Sequence, residues 1–308
     1  MEVRPDISVV IPVYNEAPNL REVYKRTVAT LEGIERTFEI VAVDDGSRDD
    51  SVAILEELQR QDNRLRIVVL SRNFGQTPAL YAGFANAHGE IVITLDADLQ
   101  NPPEEMVKLI DKLDEGYDVV QGWREERQDS VWRKMPSKVL NATVSQLMGA
   151  KIRDLGCGLK ALRRDVVERM VALSHHARYV PAEIVWLGVR MAEVKVKHRE
   201  RMRGASKYGI FTLLRLNFDM ITSISTMPIK IIGWVGWLFS IVGFLIGARI
   251  MAMRLWYGHY SDLATVTALF FFLAGVQLIA TGIMCEYIGR IFVEVQHKPY
   301  FVVKKVIE

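Results

Sequence analysis

Apolar and amphipathic runs alternate along the first 120 residues. Ile7–Pro12 (ISVVIP) is a continuous apolar run rich in β-branched residues, which predicts a buried strand. Residues 15–32 place apolar positions on one side of a helix. Glu39–Val43 (EIVAV), Leu65–Leu70 and Ile91–Leu95 predict three further strands, and Val119–Gln121 opens a fifth. Ser51–Gln61 and the small-residue stretch Thr77–Ala87 predict helices between them. Near-continuous apolar strands alternating with helices imply an α/β fold whose mostly parallel sheet is covered on both faces.

The pattern then changes. Ile231–Ala248 carries no charge for eighteen residues, and Ala264–Cys285 carries none for twenty-two. A bilayer needs about 20 apolar residues per helical span, so two spans are expected, at 231–251 and 264–285. Nothing nearby is large enough to bury two such helices in a soluble core. Gly233, Gly236, Gly243, Gly247, Gly275 and Gly282 suit close packing in lipid, and Trp234, Trp237, Trp256 and Tyr257 suit the interfaces. The connector Met253–Asp262 is short, which makes the spans a hairpin. Lys207, Arg215, Lys230, Arg290, Lys298, Lys304 and Lys305 flank the hairpin outside, against Arg249 and Arg254 towards the connector. This bias puts the first part and both termini on the cytoplasmic side of the inner (plasma) membrane. Ile210, Leu213, Leu214, Ile221 and Ile224 recur at helical spacing with polar residues between, so 209–230 is read as an amphipathic helical segment on the membrane surface. The expected organisation is a catalytic domain over 1–208, interface helices over 209–230, a transmembrane hairpin over 231–285 and a cytoplasmic tail over 286–308.

A net charge of +2 over 308 residues gives no global field for nucleic acid. The basic residues are uneven, however, with clusters at 124–138 and 190–207. Cys157 and Cys285 stand far apart, without a disulfide framework or zinc pattern, and both are expected to be buried. The first residues show no basic-plus-apolar leader. His175-His176 reads as a solvated helix end, Phe270–Phe272 as lipid-facing or packing surface, and Glu286 and Arg290 as a local i, i+4 pair.

The strongest chemical signal is ITLDADLQNPPEE. An apolar strand runs into Asp96 and Asp98, with Gln100 two residues on. If the strand continues, alternate side chains point the same way, and these three present oxygens to one point. Hard oxygen ligands suit Mg²⁺ or Mn²⁺ shared with substrate phosphates. Pro102-Pro103 blocks the strand beyond them, which sets the acids at a strand's C-terminal end, where open α/β sheets bind ligands. A solvated turn with two acids is the alternative. Strand one ends near Tyr14 and Glu16, and strand two at Asp44-Asp45-Gly46-Ser47, so these acids should gather at the same edge. No GxGxxG follows strand one and no GxxxxGK[ST] occurs. Phosphate recognition then falls to a metal.

VIPVYNE, VDDGS, RNFGQ and LDADLQNPPE, in this order, resemble the GT-A glycosyltransferases of family 2. RQDSVWRKMPSK, IRDLGCGLKA, RMRGASKYG and EYIGRIFVEV, with a two-helix hairpin, look more specifically like the polyprenyl-phosphate glycosyltransferases. The resemblance covers nearly the whole chain. It implies an inverting transfer of one sugar from a nucleotide-diphosphate sugar to undecaprenyl phosphate. The donor is UDP-linked, of 4-amino- or 4-formamido-4-deoxy-arabinose type or of glucose type. It implies that Pro12, Tyr14, Glu16, Asp44, Asp45, Asp96 and Ala97 line the nucleotide, and that Asp96, Asp98 and Gln100 hold the Mg²⁺ or Mn²⁺. Arg124, Arg127, Arg133 and Ser137 would face the lipid phosphate, and Arg201, Ser206 and Lys207 the phosphates of donor or acceptor. Asp154, in a D-x-x-x-G element, would sit beside acceptor or sugar, as a base or an orienting group. With Asp98 and Arg133 it completes the implied catalytic set. The pattern departs at Arg203, where several relatives carry an apolar residue. Relatives form tetramers, which implies a homo-oligomer. The processive synthases' QxxRW is missing. A processive synthase and a non-catalytic scaffold with this fold are the rival readings.

Overall fold

The computed structural model describes residues 4–124, 154, 157–172, 180–197, 263–295 and 299–308, with scattered positions between 234 and 256. The chain divides into two units, residues 1–210 with 299–308, and residues 211–298.

The first unit is built on one eight-stranded sheet. Its strands are β1 (Ile7–Val13), β2 (Phe38–Asp44), β3 (Leu65–Leu70), β4 (Ile91–Thr94), β5 (Val119–Arg124), β6 (Lys160–Arg163), β7 (Met191–Val196) and β8 (Val303–Ile307). Their order across the sheet is β7-β5-β6-β4-β1-β2-β3-β8. The helices are α1 (Ala17–Glu32), α2 (Ser51–Gln61), α3 (Gln76–Asn86), α4 (Met106–Asp114), α5 (Arg164–Ala172) and α6 (Val180–Trp186). β1 pairs in parallel with both β2 and β4, and β2 with β3. β6 is antiparallel to β4 and β5, which leaves β5 and its partner β7 running with the central strands.

Pleating puts successive side chains on opposite faces, and the core follows it. Val9, Ile11, Ile40 and Ala42 pack with Leu20, Val23, Leu55 and Leu109 of α1, α2 and α4 on one face. Val10, Val41, Val43 and Val68 pack with Tyr81, Phe84 and Val166 of α3 and α5 on the other. In α1 the buried Leu20, Val23, Thr27 and Leu31 recur at three and four residues, the spacing of one helix face.

The topology decides what meets at the sheet's C-terminal edge. Val13, Asp44, Leu70, Thr94 and Arg124 end there. β6 runs the other way, so its first residue Lys160 lies there too, paired with Thr94 on one side and Gln121 on the other. The loops after β1, β2, β3, β4 and β5, and the segment before β6, therefore share one edge.

Residues 286–308, expected as a tail, hold the last turns of a long helix and then β8, which pairs antiparallel with β3. Ser71 N donates to Val302 O at 2.9 Å, and Lys305 Nζ to Glu56 Oε1 at 2.6 Å. Without β8, the apolar strand β3 would expose a row of unpaired backbone groups, a template for association. Removing residues 299–308 is expected to lower Tm and promote aggregation, measured by light scattering on heating. In a domain of this size each kcal/mol lost shifts Tm by about 2–4 °C.

In the second unit, α7 (Leu263–Val295) is 33 residues long, roughly 50 Å at 1.5 Å per residue. Its segment Phe272–Gly289 is apolar and long enough to cross a membrane, and it is the one such helix among the described residues. Phe270, Leu278 and Ile291 are exposed along it. The described positions between 234 and 256 are also helical, with Trp234, Trp237 and Leu245 exposed. Cys285, expected to be buried, is exposed on α7, where none of the described elements covers it, whereas Cys157 is buried in the first unit.

Candidate active site

The loops at the C-terminal edge are stitched together by side chains. Asn15 adopts a left-handed φ of 54°, which Asn tolerates better than most residues. α1 consequently starts at Ala17 and not at Asn15. Asn15 N donates to Ser47 Oγ at 3.0 Å, and Asn15 Oδ1 accepts from Arg48 N at 2.8 Å. Pro12, Tyr14 and Glu16 are half-buried beside this seam, and Glu16 Oε2 accepts from Asn19 Nδ2 at 2.7 Å.

The acids ending β2 are both buried and have different duties. Asp44 Oδ2 accepts from the backbone N–H of Gly46 and of Ser47, each at 3.1 Å, closing its own turn. Asp45 reaches across to the next loop, where its oxygens accept from Phe74 N at 2.7 Å and Gly75 N at 2.8 Å. Burial pushes the Asp45 carboxyl up, and these two backbone donors oppose it. Gly46 has φ 69°, and a Cβ there would lie 2.6 Å from backbone atoms of Arg72 and Asn73. Only glycine fits between these loops.

The run holding Asp96 and Asp98 is not an extended strand. β4 stops at Thr94, residues 97 and 98 form a turn, and Leu99 has φ 61°. The expected alternation of Asp96, Asp98 and Gln100 is therefore broken by a left-handed residue, with Ala97 and Leu99 turned into the core. Gln100 contributes its backbone N–H to Asp98 Oδ1 at 3.1 Å. The two carboxylates remain neighbours. Burial first, and the Asp98 charge second, push the Asp96 carboxyl up to about 6, while Lys160 and Arg124 pull it down. Asp96 Oδ1 accepts from Gln76 Nε2 at 2.8 Å, and Oδ2 from Asn101 Nδ2 at 3.4 Å. The other amide atom, Asn101 Oδ1, is buried and has no hydrogen-bond partner among the described residues.

Asp154 is also buried. Arg124 grips it through a fork, Nε to Oδ2 at 2.6 Å and Nη2 to Oδ1 at 2.9 Å. Arg124, expected at a lipid phosphate, thus directs two of its donors to the acid of the D-x-x-x-G element. The glycine of that element, Gly158, packs against the Asp96 carboxylate so closely that a Cβ would overlap it. Its carbonyl accepts from Thr94 Oγ1 at 2.6 Å. Gly158→Ala is expected to displace Asp96 and to cost about 1–3 kcal/mol as an overpacked site, measured by denaturant unfolding. Lys160 is buried behind these groups and donates to Cys157 O. Burial pushes its ammonium down, and the acids Asp96 and Asp154 oppose this.

Four residues of this cluster received no role from the sequence. Gln76, Asn101, Gly158 and Lys160 lie inside quoted motifs; the register of β4 with β6 brings Gly158 and Lys160 to Asp96, whereas Gln76 arrives from the start of α3 and Asn101 from the loop after β4. Arg127, Arg133, Ser137, Arg201, Arg203, Ser206 and Lys207, and His175-His176, lie outside the described residues, as does the amphipathic segment 209–230.

Among the described residues no three His, Cys, Asp or Glu side chains gather as a self-sufficient metal site. Two carboxylates with an orphaned amide oxygen nearby fit a hard divalent cation that takes its other ligands from water and substrate phosphates. The Gly158 backbone closes one side of the Asp96 carboxylate.

The chain matches the glycosyl transferase family 2 model over residues 8–171. It is 41% identical over 305 residues to an undecaprenyl-phosphate 4-deoxy-4-formamido-L-arabinose transferase of Pseudomonas aeruginosa (strain LESB58), covering 98% of this chain and 90% of that protein. A protein of the same name from Proteus mirabilis (strain HI4320) is 39% identical, with 98% and 94% covered. The fold is similar to glucosyl-3-phosphoglycerate synthase from Mycobacterium tuberculosis, solved in complex with Mn²⁺, uridine diphosphate and glucosyl-3-phosphoglycerate. The TM-score is 0.50 at 22% identity, over 71% of this chain and 78% of that one. The expected GT-A-type α/β domain with a mostly parallel sheet is borne out.

Proposed function

Because the chain belongs to glycosyl transferase family 2, we propose that it moves one sugar from a nucleotide-diphosphate sugar to undecaprenyl phosphate at the membrane surface. The full-length likeness to transferases named for that acceptor carries the reading. The donor is a UDP-linked 4-formamido-4-deoxy-arabinose, and the product is a lipid-linked monosaccharide.

A phosphate monoester is largely ionised at neutral pH, so the acceptor needs little help from a base. It needs alignment with the anomeric carbon and relief from the donor's negative charge. Asp96 and Asp98 would hold Mg²⁺ or Mn²⁺ against the diphosphate. Bound there, such an ion acts as a Lewis acid for the departing nucleoside diphosphate. Asp44 and the loop at Tyr14 and Glu16 would receive base and ribose. Arg127, Arg133 and Ser137, with Arg201, Ser206 and Lys207, would bind phosphates, since guanidinium forks match phosphate oxygens. Asp154, clamped by Arg124, orients the acceptor end of the site. One in-line displacement inverts the anomeric centre. The spans at 231–251 and 264–285 form a hairpin in the inner membrane, the segment 209–230 lies on its cytoplasmic face, and the assembly is a homo-oligomer.

The test is transfer by the purified protein with undecaprenyl phosphate, Mn²⁺ or Mg²⁺ and a panel of UDP- and GDP-sugars, read by mass spectrometry of the lipid. A single-sugar mass increment supports the reading and names the donor. Metal-dependent nucleotide binding with no lipid product from any donor would sink it in favour of a scaffold. A ladder of sugar increments would point to a processive synthase.

A further inference from the structure

Gln76 is exposed, and it opens α3. An exposed glutamine at a helix start is ordinarily free to face water. Here its Nε2 donates to Asp96 Oδ1 at 2.8 Å. The backbone that carries it is held from several sides. Asp45 takes the N–H groups of Phe74 and Gly75 immediately before it. The turn at Gly46 abuts Arg72 and Asn73 with no room for a side chain. The Arg72 guanidinium lies 4.2 Å from the Phe74 ring centroid, and Ser71 N is tied to Val302 O. These restraints act independently on five residues, and what they deliver to the site is one amide.

We infer that Gln76 is a positioning residue for Asp96, and that Asp45 serves the same end by fixing the loop from which Gln76 reaches. A carboxylate on one short side chain can turn about its last bond. Gln76 holds Oδ1, Asn101 holds Oδ2, and Gly158 closes the third side. The remaining lone pairs are then aimed in one direction before any ligand arrives. Groups that orient a ligating carboxylate in this way typically matter 10–100-fold, roughly, to metal affinity or activity. The inference rests on the proposed role of Asp96 as a ligand of the divalent ion.

The experiment compares the full-length wild-type protein with Gln76→Ala and Gln76→Met, the latter keeping length without a donor. Mn²⁺ binding in the presence of uridine diphosphate is measured by calorimetry, alongside Tm and the metal dependence of transfer. The expected result is Mn²⁺ affinity weakened roughly 10–100-fold at unchanged Tm, with kcat restored by excess metal. A residue acting only on the fold would move Tm and leave the metal dependence alone. Unchanged Mn²⁺ affinity in both variants overturns the inference, as does a wild-type protein that binds no Mn²⁺ with the nucleotide. A wild type that binds Mn²⁺ and nucleotide but makes no lipid product overturns the transferase reading alone, because the binding comparison needs no acceptor.

Discussion

Asp98→Ala is expected to remove sugar transfer almost completely while leaving the protein folded. Asp98 is half-buried on a turn, and the hydrogen bond it accepts from Gln100 N is 3.1 Å long. Losing one such bond at a partly open site costs on the order of 0.5–1.5 kcal/mol, a small part of a domain's stability. The chemical loss is larger. With one of two neighbouring carboxylates gone, the site loses half its charge for a divalent ion, and Lewis-acid stabilisation of the leaving group is worth several kcal/mol. At about 1.4 kcal/mol per factor of ten, the rate falls roughly a thousandfold. Asp98→Asn separates the causes. It keeps an acceptor for Gln100 N but no charge, so an equal loss in both variants assigns the effect to charge. Initial rates by mass spectrometry of the lipid, at rising Mn²⁺, make the measurement. An Asn variant with near-normal rates would show that charge at Asp98 is not what the reaction uses.

The central strands were legible because burial on both faces leaves its mark in composition. β2 and β3 are apolar runs with little competing pattern, and β3 and α2 fall on their expected bounds. β6 (KALR) and β8 (VKKVI) left no such mark. β6 is four residues long and opens on a buried lysine. β8 is an edge strand with two exposed lysines, the composition that edges use against association, and so it read as a tail. The acids Asp96 and Asp98 were legible as chemistry although their geometry was not, since nothing in LDADLQ announces that Leu99 turns left-handed. Contacts across the sheet were least legible. Gln76 meets Asp96 twenty residues away, and Arg124 meets Asp154 thirty away. Such pairs follow from strand order and register, which local periodicity does not encode.

The Arg124–Asp154 pair carries the second large effect, this time on stability. Only 12% and 7% of the two side chains is exposed, and the fork is completed by Arg124 N to Oδ2 at 3.3 Å. A buried ion pair contributes little net stability over an apolar pair, but deleting one partner strands a charge and costs about 3–5 kcal/mol. Asp154→Ala and Arg124→Ala are each expected to lower Tm by about 6–20 °C, taking about 2–4 °C per kcal/mol. The double replacement Arg124→Met with Asp154→Leu removes both charges and fills the space, so much of that loss should return. Thermal unfolding of the two single variants and the double one forms the cycle. Unchanged Tm in the single variants would show that the pair does not act as a buried clamp. Transfer by the double variant then bears on chemistry. Both Asp154 oxygens are already engaged by the guanidinium, an arrangement suited to holding neighbouring backbone in place and ill suited to accepting a proton. If Asp154 orients through this clamp, a refolded double variant should still transfer poorly, with a raised KM for the lipid acceptor. If it acts as a base, the loss should fall on kcat, and Asp154→Asn should show the same loss.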